Sequence, residues 1–277
     1  MVFTGFAGMV LAERSIPGGD IIFYTLISLF LSAGGAAVLN NVLDQELDVL
    51  MDRLGKRVQA MNLVGERQAT VLSLIMIAAS LLISLYFINY VNAFLIILAI
   101  LSYTFLYTLY LKRSSPYGTI LGGIPGALPV LIGYSAIEPG FGIGAWVLFI
   151  FMILWQPPHF WALAQKYKDD YKKANIPVMP VVFGVEYTNL FILLYSISLI
   201  PLTLSLWFMN ICSQYYAILV LISGIYFEYV MFKSVITRTN YGRAFGVSIL
   251  YMLSFMLILI FDIYLNVNTQ PIIYHLH

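Results

Sequence analysis

Eight long apolar runs, each close to 20 residues, constrain the fold of this chain more than any other feature. They cover 21–43, 69–88, 92–111, 118–136, 143–164, 188–209, 215–233 and 244–265. A helix needs about 20 apolar residues to cross a bilayer, and only helices or closed barrels satisfy their backbone polar groups there. A shorter apolar run covers 1–11. We therefore predict an all-α, polytopic membrane bundle of about nine transmembrane helices, the first short, forming a single domain over 1–277.

The basic residues predict the orientation of this bundle. The alternate connections 44–68, 112–117, 165–187 and 233–243 hold 13 of the 14 Lys and Arg residues, and the connections between them hold only Arg14. Cytoplasmic loops of membrane proteins are enriched in Lys and Arg. We expect a multi-pass protein of the cell membrane with its charged loops and N-terminus on the cytoplasmic side and its C-terminus outside.

Composition also excludes several classes of protein. With 61% hydrophobic and 10% charged residues, the chain is far from the roughly 25% charge of soluble domains. The single cysteine, Cys212, excludes a disulfide framework and a multi-cysteine metal site, and we interpret it as a packing residue. The net charge of +1 gives no reason to expect a nucleic-acid partner, and no cleavable signal peptide is evident.

The end of the second run carries a dense group of charged residues. On a helix, Asn40, Asp44 and Asp48 recur at i, i+4 and i+8 and form one stripe, which Asp52 extends by a turn. Like charges at this spacing repel, so helix stability does not explain them. Mg²⁺ would relieve the repulsion, and it typically takes one or two carboxylates plus water and phosphate oxygens. The alternative is a solvated helix end with an ion pair between Asp52 and Lys56.

Two basic residues follow this stripe, and two more lie in the next charged loop. Arg53 and Arg57 are suited to phosphate oxygens that a metal leaves uncovered. Lys112 and Arg113 belong to the same predicted membrane face, where simple interfacial anchoring is an equal alternative.

A third polar group begins at the end of the 143–164 run. It reads Trp-Gln-Pro-Pro-His-Phe-Trp, with Gln156 and His159 at its centre. We predict that Pro157 and Pro158 break the helix where its backbone lines a cavity. His159 is the only histidine before the C-terminal tail, and it is either a site residue or a hydrogen-bonded packing residue. The following loop contains Asp169, Asp170 and Lys173 among further lysines.

Two acidic clusters and surrounding cations on one face of an apolar bundle suit a magnesium diphosphate at the membrane interface. The apolar chain attached to the diphosphate would then run into the bundle. Ionisation of an allylic diphosphate requires charge to be withdrawn from the leaving group and water to be kept from the carbocation. Aromatic residues, 16% of the chain, provide π faces for such a cation, although most serve as core and interface residues.

Three motifs resemble the UbiA superfamily of intramembrane prenyltransferases. The first is Asn40-xxx-Asp44-xxx-Asp48 with the arginines that follow. The second is Tyr-Thr-Leu-Tyr-Leu-Lys-Arg over 107–113, followed by the Gly- and Pro-rich stretch 122–129. The third runs from the Trp-Gln-Pro-Pro-His stretch to residue 184. The second and third motifs are both similar to the protoheme IX farnesyltransferase branch of this superfamily. The resemblance covers about 5–185, and the last 90 residues share only hydropathy and helix count.

The resemblance implies a nine-helix bundle that transfers farnesyl from farnesyl diphosphate to a vinyl group of haem B. Water addition would give a hydroxyethylfarnesyl side chain, and diphosphate would be released with Mg²⁺ as cofactor. It implies catalytic roles for Asn40, Asp44, Asp48 and Asp170, with Asp44, Asp48 and Asp170 as metal ligands. It implies substrate-binding roles for Arg53, Arg57, Lys112, Arg113, Gln156, His159, Asp169 and Lys173. Gln156 or His159 would face the porphyrin. Besides membrane lipid, a haem A synthase or terminal oxidase assembly protein is a candidate partner.

One departure from the family pattern leaves a question open. The second acidic motif is often DxxxD, whereas this chain has adjacent Asp169 and Asp170, so the sequence does not decide whether a second metal binds. Transfer to a quinone precursor or another aromatic or lipid acceptor is an alternative within the same enzyme class. A membrane transporter is the alternative outside it, although the predicted spans hold few ionisable residues beyond Glu228 and Asp262.

Overall fold

Every predicted apolar run is helical in the computed structural model, which describes residues 1–267. Eight helical stretches are long and apolar enough to cross a membrane, and the described residues contain no strand. These stretches are Gly19–Leu43, Glu66–Phe87, Tyr90–Ser114, Gly118–Ile137, Ile143–Lys166, Gly184–Phe208, Gln214–Thr237 and Tyr241–Asn266. The predicted multi-pass helical bundle is therefore confirmed, and the predicted external position of the C-terminus falls outside the described residues.

The helices are numbered in chain order, and the long ones form a bundle around two central members. The bounds are α1 Val2–Glu13, α2 Gly19–Leu43, α3 Gln45–Asp48, α4 Gly55–Val64, α5 Glu66–Phe87, α6 Tyr90–Leu101, α7 Lys112–Ser114, α8 Gly118–Leu121, α9 Gly123–Ile137, α10 Ile143–Lys166, α11 Lys168–Lys173, α12 Met179–Val182, α13 Gly184–Phe208, α14 Gln214–Thr237 and α15 Tyr241–Val267. A 3₁₀ turn covers Asp52–Leu54, and a π-helical segment covers Ser102–Leu111. Helices α9 and α10 are the most buried spans, whereas α5 is the most exposed to the surroundings.

The short first helix packs directly against α9 because both helices carry glycine at the crossing. A Cβ at Gly133 would lie 1.8 Å from the Gly5 carbonyl oxygen, and a Cβ at Gly8 would lie 2.2 Å from the Val130 carbonyl oxygen. Small residues allow this close backbone approach between membrane helices. The helix α1 is therefore a tightly packed part of the bundle, with most of its residues buried.

Two sequence predictions about helix ends are corrected by the structure. The basic connection predicted at 233–243 is only three residues long, because α14 continues to Thr237 and α15 begins at Tyr241. Arg238, with φ of 52°, ends α14 in a left-handed conformation. In the sequence, the polar residues near Lys233 indicate a loop. Long cationic side chains can, however, extend from a helix into the polar interface, so the helix does not need to stop there.

The predicted break at Pro157 and Pro158 is also wrong. Helix α10 continues through both prolines to Lys166. Neighbouring groups often compensate for proline within membrane helices. Here the Gln156 side-chain amide donates to the carbonyls of Met152, 2.9 Å away, and Gly123, 2.7 Å away. This contact joins α10 to α9 beside the prolines; it does not replace the two backbone hydrogen bonds that Pro157 and Pro158 remove.

Candidate active site

The acidic stripe lies where α2 meets α3, and the helical spacing is preserved across the junction. The backbone N–H of Asp44 donates to the Asn40 carbonyl at 2.9 Å, and that of Asp48 donates to the Asp44 carbonyl at 2.9 Å. All three side chains are buried, and Asp44 is 0% exposed. The structure therefore brings Asn40, Asp44 and Asp48 together on one face, as the sequence predicts.

Asp52 does not extend the stripe, which corrects the sequence prediction. The helical path ends before Met51, whose backbone is extended with φ of −110° and ψ of 110°. The carboxylate of Asp52 is exposed and lies 2.5 Å from Lys173 Nζ. Lys173 was predicted to bind substrate and Lys56 to be the alternative partner of Asp52. The observed ion pair instead joins two exposed side chains outside the cavity described below.

Three cations surround the buried carboxylates. Lys112 Nζ lies 2.5 Å from Asp44 Oδ2, and Arg57 Nε lies 2.7 Å from Asp48 Oδ2. Arg113 Nη2 lies 3.6 Å from Asp44 Oδ1 and donates to the Leu43 carbonyl at 2.7 Å. The predicted substrate-binding residues Arg57, Lys112 and Arg113 therefore converge on the stripe from two distant parts of the chain.

The π-helical segment Ser102–Leu111 brings the second of these parts into position. In a π-helix the hydrogen bonds connect residues five apart, so each turn is wider than in an α-helix. The Thr108 hydroxyl donates to the Tyr103 carbonyl five residues earlier, at 2.9 Å, and accepts from the Asn40 side-chain amide at 3.0 Å. This irregular segment ends directly before Lys112 and holds it against Asp44. Thr108 is a site residue that sequence reasoning missed.

Two carboxylate oxygens at this site are suited to a hard cation. Asp44 Oδ1 and Asp48 Oδ1 are buried, and neither accepts a hydrogen bond. Burial raises the pKa of Asp48, while Arg57 and Lys112 oppose that shift and Asp44 adds to it. The described residues contain no cluster of three or more His, Cys, Asp or Glu that could hold a metal. Two carboxylates are nevertheless the number that Mg²⁺ commonly takes when phosphate oxygens and water supply the rest.

A cavity of about 250 Å³ opens in front of the stripe. Its polar wall contains Asn40, Asp48, Arg53, Arg57 and Lys112, and Asp44 lies buried behind them. Its apolar wall contains the aromatic residues Tyr103, Tyr107, Phe160 and Tyr171. Tyr103 and Tyr107 recur at a spacing of four just before Lys112, so a helix places both rings on one face. We call this space the diphosphate cavity, after the ligand that the sequence predicts for the acidic stripe.

A narrow apolar slot of about 100 Å³ adjoins this cavity at Tyr103, which lines both spaces. Its other walls are almost entirely apolar and include Leu29, Ala36, Ile100 and Pro125. The slot therefore extends from the polar end of the bundle into its interior. Its dimensions and lining suit a hydrocarbon chain rather than a polar group.

Arg53 is held at the cavity wall by the loop that carries the second acidic pair. Its guanidinium carbon lies 5.2 Å from the ring centres of both Tyr167 and Tyr171, and its Nη2 donates to the Tyr171 hydroxyl at 3.0 Å. Its backbone N–H donates to Asp170 Oδ2 at 3.2 Å. Burial raises the pKa of the Tyr171 phenol. Neither Asp170 nor the exposed Asp169 lines the cavity, so the structure places this pair behind Arg53.

Gln156 and His159 lie away from the diphosphate cavity. The Gln156 amide is occupied by the α9 contact described above. The His159 ring lies between Trp155 and Phe245, with ring centres 4.5 and 4.4 Å away, and its Nδ1 is 2.6 Å from the Ser248 hydroxyl. These contacts join α10 to α15. Neither side chain lines the cavity that contains the acidic stripe.

Comparison with known proteins gives consistent relatives over nearly the whole chain. Residues 1–253 match the UbiA prenyltransferase family. A protoheme IX farnesyltransferase of Geotalea uraniireducens (strain Rf4) is 44% identical over 92% of this chain and 98% of its own length. One from Aquifex aeolicus (strain VF5) is 38% identical over 91% of this chain and 87% of its own length.

Solved structures with the same fold are more distant in sequence. A digeranylgeranylglyceryl phosphate synthase has a TM-score of 0.76 at 20% identity, over 95% of this chain and 92% of its own. A UbiA homologue from Archaeoglobus fulgidus, bound to GPP and Mg²⁺, has a TM-score of 0.65 at 15% identity, over 93% of this chain and 95% of its own. At these identities the likeness concerns the fold.

Proposed function

Because this chain belongs to the UbiA prenyltransferase family, we propose that it transfers farnesyl from farnesyl diphosphate to a vinyl group of haem B. The observation that carries the proposal is the buried Asn40–Asp44–Asp48 stripe, with its surrounding cations, facing a cavity that adjoins an apolar slot. The choice of haem B is supported by two relatives with 38% and 44% identity that are protoheme IX farnesyltransferases.

Asp44 and Asp48 would hold Mg²⁺ through the two carboxylate oxygens that accept no hydrogen bond. When bound, the metal would supply a Lewis acid that neutralises charge on the diphosphate leaving group. Asn40 orients Asp44, because its side-chain amide donates to Asp44 Oδ2 at 2.7 Å and to the Thr108 hydroxyl at 3.0 Å. A UbiA homologue with the same fold was solved with GPP and Mg²⁺, which supports the choice of Mg²⁺ and a prenyl diphosphate as ligands.

The cations of the cavity would stabilise the departing diphosphate. As the bond between C1 of the farnesyl group and the diphosphate oxygen breaks, both electrons go to the oxygen. Arg53, Arg57 and Lys112 line the cavity in which that charge develops, and Arg113 approaches from behind through Asp44. Fixed positive groups in a site that excludes water favour such a charge strongly. Asp170 contributes indirectly, by accepting the backbone N–H of Arg53 and orienting that residue.

The aromatic wall of the cavity would stabilise the allylic cation that remains when the diphosphate departs. Tyr103 and Tyr107 have ring centres 6.0 Å apart and nearly parallel planes, and both line the diphosphate cavity. A ring face attracts a cation within about 6 Å. The vinyl π electrons of the acceptor then form the new carbon–carbon bond. Water adds to the resulting cation and releases a proton, which gives the hydroxyethylfarnesyl product together with diphosphate.

We propose that the chain acts in the cell membrane with this site on the cytoplasmic side. The polar cavity lies at the bundle end that carries almost all the lysines and arginines, and such loops are typically cytoplasmic. The apolar slot leads away from that end and would hold the farnesyl chain. This arrangement admits both the diphosphate from water and the hydrocarbon chain from the bilayer.

The test is mass spectrometry of haems extracted from membranes that express the chain, in a host lacking its own farnesylated haem. We expect a new species with the mass of haem B plus a hydrated farnesyl group, which the Asp44→Ala variant does not form. A matched control, Asp52→Ala, should still form it because Asp52 is exposed and outside the cavity. A prenylated quinone precursor with unmodified haem B would refute the acceptor but retain the prenyl transfer.

A further inference from the structure

A second polar cavity, of about 600 Å³, lies at the same end of the bundle as the diphosphate cavity and shares no residue with it. It forms where α10 ends, α13 begins and α14 turns into α15. Four cationic side chains line it, namely Lys166, Lys168, Arg238 and Arg243. Nothing in the reaction described above uses this cavity.

The charge of this cavity is poorly compensated. Arg238 forms an ion pair with Glu186 at its edge. Within residues 1–267, no carboxylate lies within ion-pair distance of Lys166, Lys168 or Arg243. Membrane orientation explains basic loops in general, but it does not require several unpaired cations in one concavity. A cleft lined with one sign of charge concentrates ligands of the opposite sign.

A buried hydrogen-bond network holds the base of the cavity in place. Asn189 on α13 accepts from the Gln165 amide at 3.1 Å and from the Tyr241 hydroxyl at 3.0 Å, and it donates to the Val235 carbonyl at 3.3 Å. These contacts connect α10, α13, α14 and α15. Gln165 and Asn189 are both buried, so the network fixes the relative positions of the four helices at the base of the cavity.

The cavity is also a direct neighbour of the diphosphate cavity. Leu163 and Ala164 line the diphosphate cavity, whereas the next two residues of α10, Gln165 and Lys166, line the second cavity. The ring of Tyr167 contacts a cation from each, with Lys166 Nζ at 4.9 Å and Arg53 Cζ at 5.2 Å from its centre. One turn of helix and one aromatic ring therefore separate the two sites.

We propose that this second cavity binds the two propionate carboxylates of the porphyrin acceptor, with Lys166 and Arg243 as the principal contacts. The inference rests on the function proposed above, which makes haem B the acceptor. Haem B carries its propionates on the edge of the macrocycle opposite its vinyl groups. Two neighbouring cationic sites fit such a molecule, because the anionic edge is held in one while the vinyl edge approaches the allylic diphosphate in the other.

An anionic lipid headgroup shares the chemistry of a propionate and is the competing occupant. The structure favours the porphyrin because three uncompensated cations line one cavity of about 600 Å³. The cavity also lies directly beside the diphosphate cavity, where the vinyl group of the acceptor would react.

The test compares haem B with its dimethyl ester, in which both propionates are uncharged, using full-length protein in nanodiscs. The variant is the double change Lys166→Gln with Arg243→Gln. The matched control is Lys172→Gln, which removes a charge from an exposed lysine that lines neither cavity. Binding is measured by absorbance titration of haem, and turnover is measured by product formation with varied haem B and varied farnesyl diphosphate.

We expect the wild type and the control to bind haem B more tightly than the ester. The double variant should bind haem B about tenfold more weakly, because it loses two charge-assisted contacts to the propionates. It should no longer distinguish haem B from the ester, and its KM for farnesyl diphosphate should stay at the wild-type value. Equal haem B affinity in the double variant and the wild type would overturn the assignment.

Two further measurements separate the remaining outcomes. If the wild type binds haem B in preference to the ester but never farnesylates it, the proposed function fails while the propionate site stands. Nanodiscs with and without phosphatidylglycerol distinguish a lipid site. A lipid site would give two results together. The double variant would still prefer haem B to the ester, and phosphatidylglycerol would raise the unfolding temperature of the wild type but not of the double variant. That outcome would assign the cavity to lipid and refute the proposal.

Discussion

Neutralising Asp44 provides the most direct test of the active site. The carboxylate is 0% exposed and has three cationic nitrogens nearby, at 2.5 Å from Lys112, 3.6 Å from Arg113 and 3.9 Å from Arg57. Asp44→Asn keeps the shape of the side chain but removes its charge. The change therefore leaves these cations without their shared anion and replaces one of the two carboxylates proposed to hold Mg²⁺ with a neutral amide.

The expected loss of activity is large. Removing one preorganised group that stabilises charge in a transition state typically lowers kcat by about 100- to 1,000-fold, or roughly 3–4 kcal/mol. Removal of one partner from a buried ion pair also lowers the free energy of unfolding by about 3–5 kcal/mol, so the rate must be measured on folded protein. We therefore expect kcat/KM for farnesyl diphosphate to fall at least about 100-fold, and we expect half-maximal activity to require more Mg²⁺.

The matched control is Asp52→Asn. The change is chemically the same, but Asp52 is exposed and pairs only with the exposed Lys173. Exposed ion pairs contribute little to stability because solvent screens them, so we expect nearly wild-type activity. Initial rates are measured by chromatography of extracted haems at several Mg²⁺ concentrations, after size exclusion and thermal unfolding show that each variant is folded. If folded Asp44→Asn stayed within threefold of the wild type, the metal-diphosphate assignment would be wrong.

Four shorter predictions address other parts of the structure. Gly133→Ala should lower the thermal unfolding temperature markedly, because its Cβ would lie 1.8 Å from the Gly5 carbonyl oxygen, and unchanged unfolding would contradict the close helix contact. Arg53→Gln should raise the KM for farnesyl diphosphate more than that for haem B, and an equal rise in steady-state assays would argue against diphosphate binding. His159→Ala should lower the free energy of unfolding by roughly 3 kcal/mol, because the ring loses its packing on Phe245. The KM values for farnesyl diphosphate and haem B should stay unchanged in the folded fraction, and a selective rise in the KM for haem B would instead show acceptor contact. Chelation of Mg²⁺ should abolish transfer reversibly, and activity that persists in excess chelator would exclude a metal requirement.

The predictable part of the site was local in sequence. The spacing of Asn40, Asp44 and Asp48 was enough to place them on one face, because consecutive helical turns bring residues four apart together. The same reasoning failed for Asp52, since nothing in the charge pattern signals the extended backbone at Met51. It also failed for Pro157 and Pro158, because α10 continues through both residues and membrane helices tolerate proline.

The sequence by itself determined the membrane bundle, the bounds of most of its helices and the acidic stripe. Hydropathy and helical periodicity are properties of neighbouring residues, so they can be read without knowing the fold. Only the tertiary structure decided that Lys112 contacts Asp44, 68 residues earlier, and that Asp170 supports Arg53, 117 residues earlier. It also placed the His159 ring between Trp155 and Phe245, with its Nδ1 beside the Ser248 hydroxyl of α15. These outcomes depend on which helices pack together and on how each one is rotated, and long-range packing of that kind leaves no periodic pattern in a single sequence.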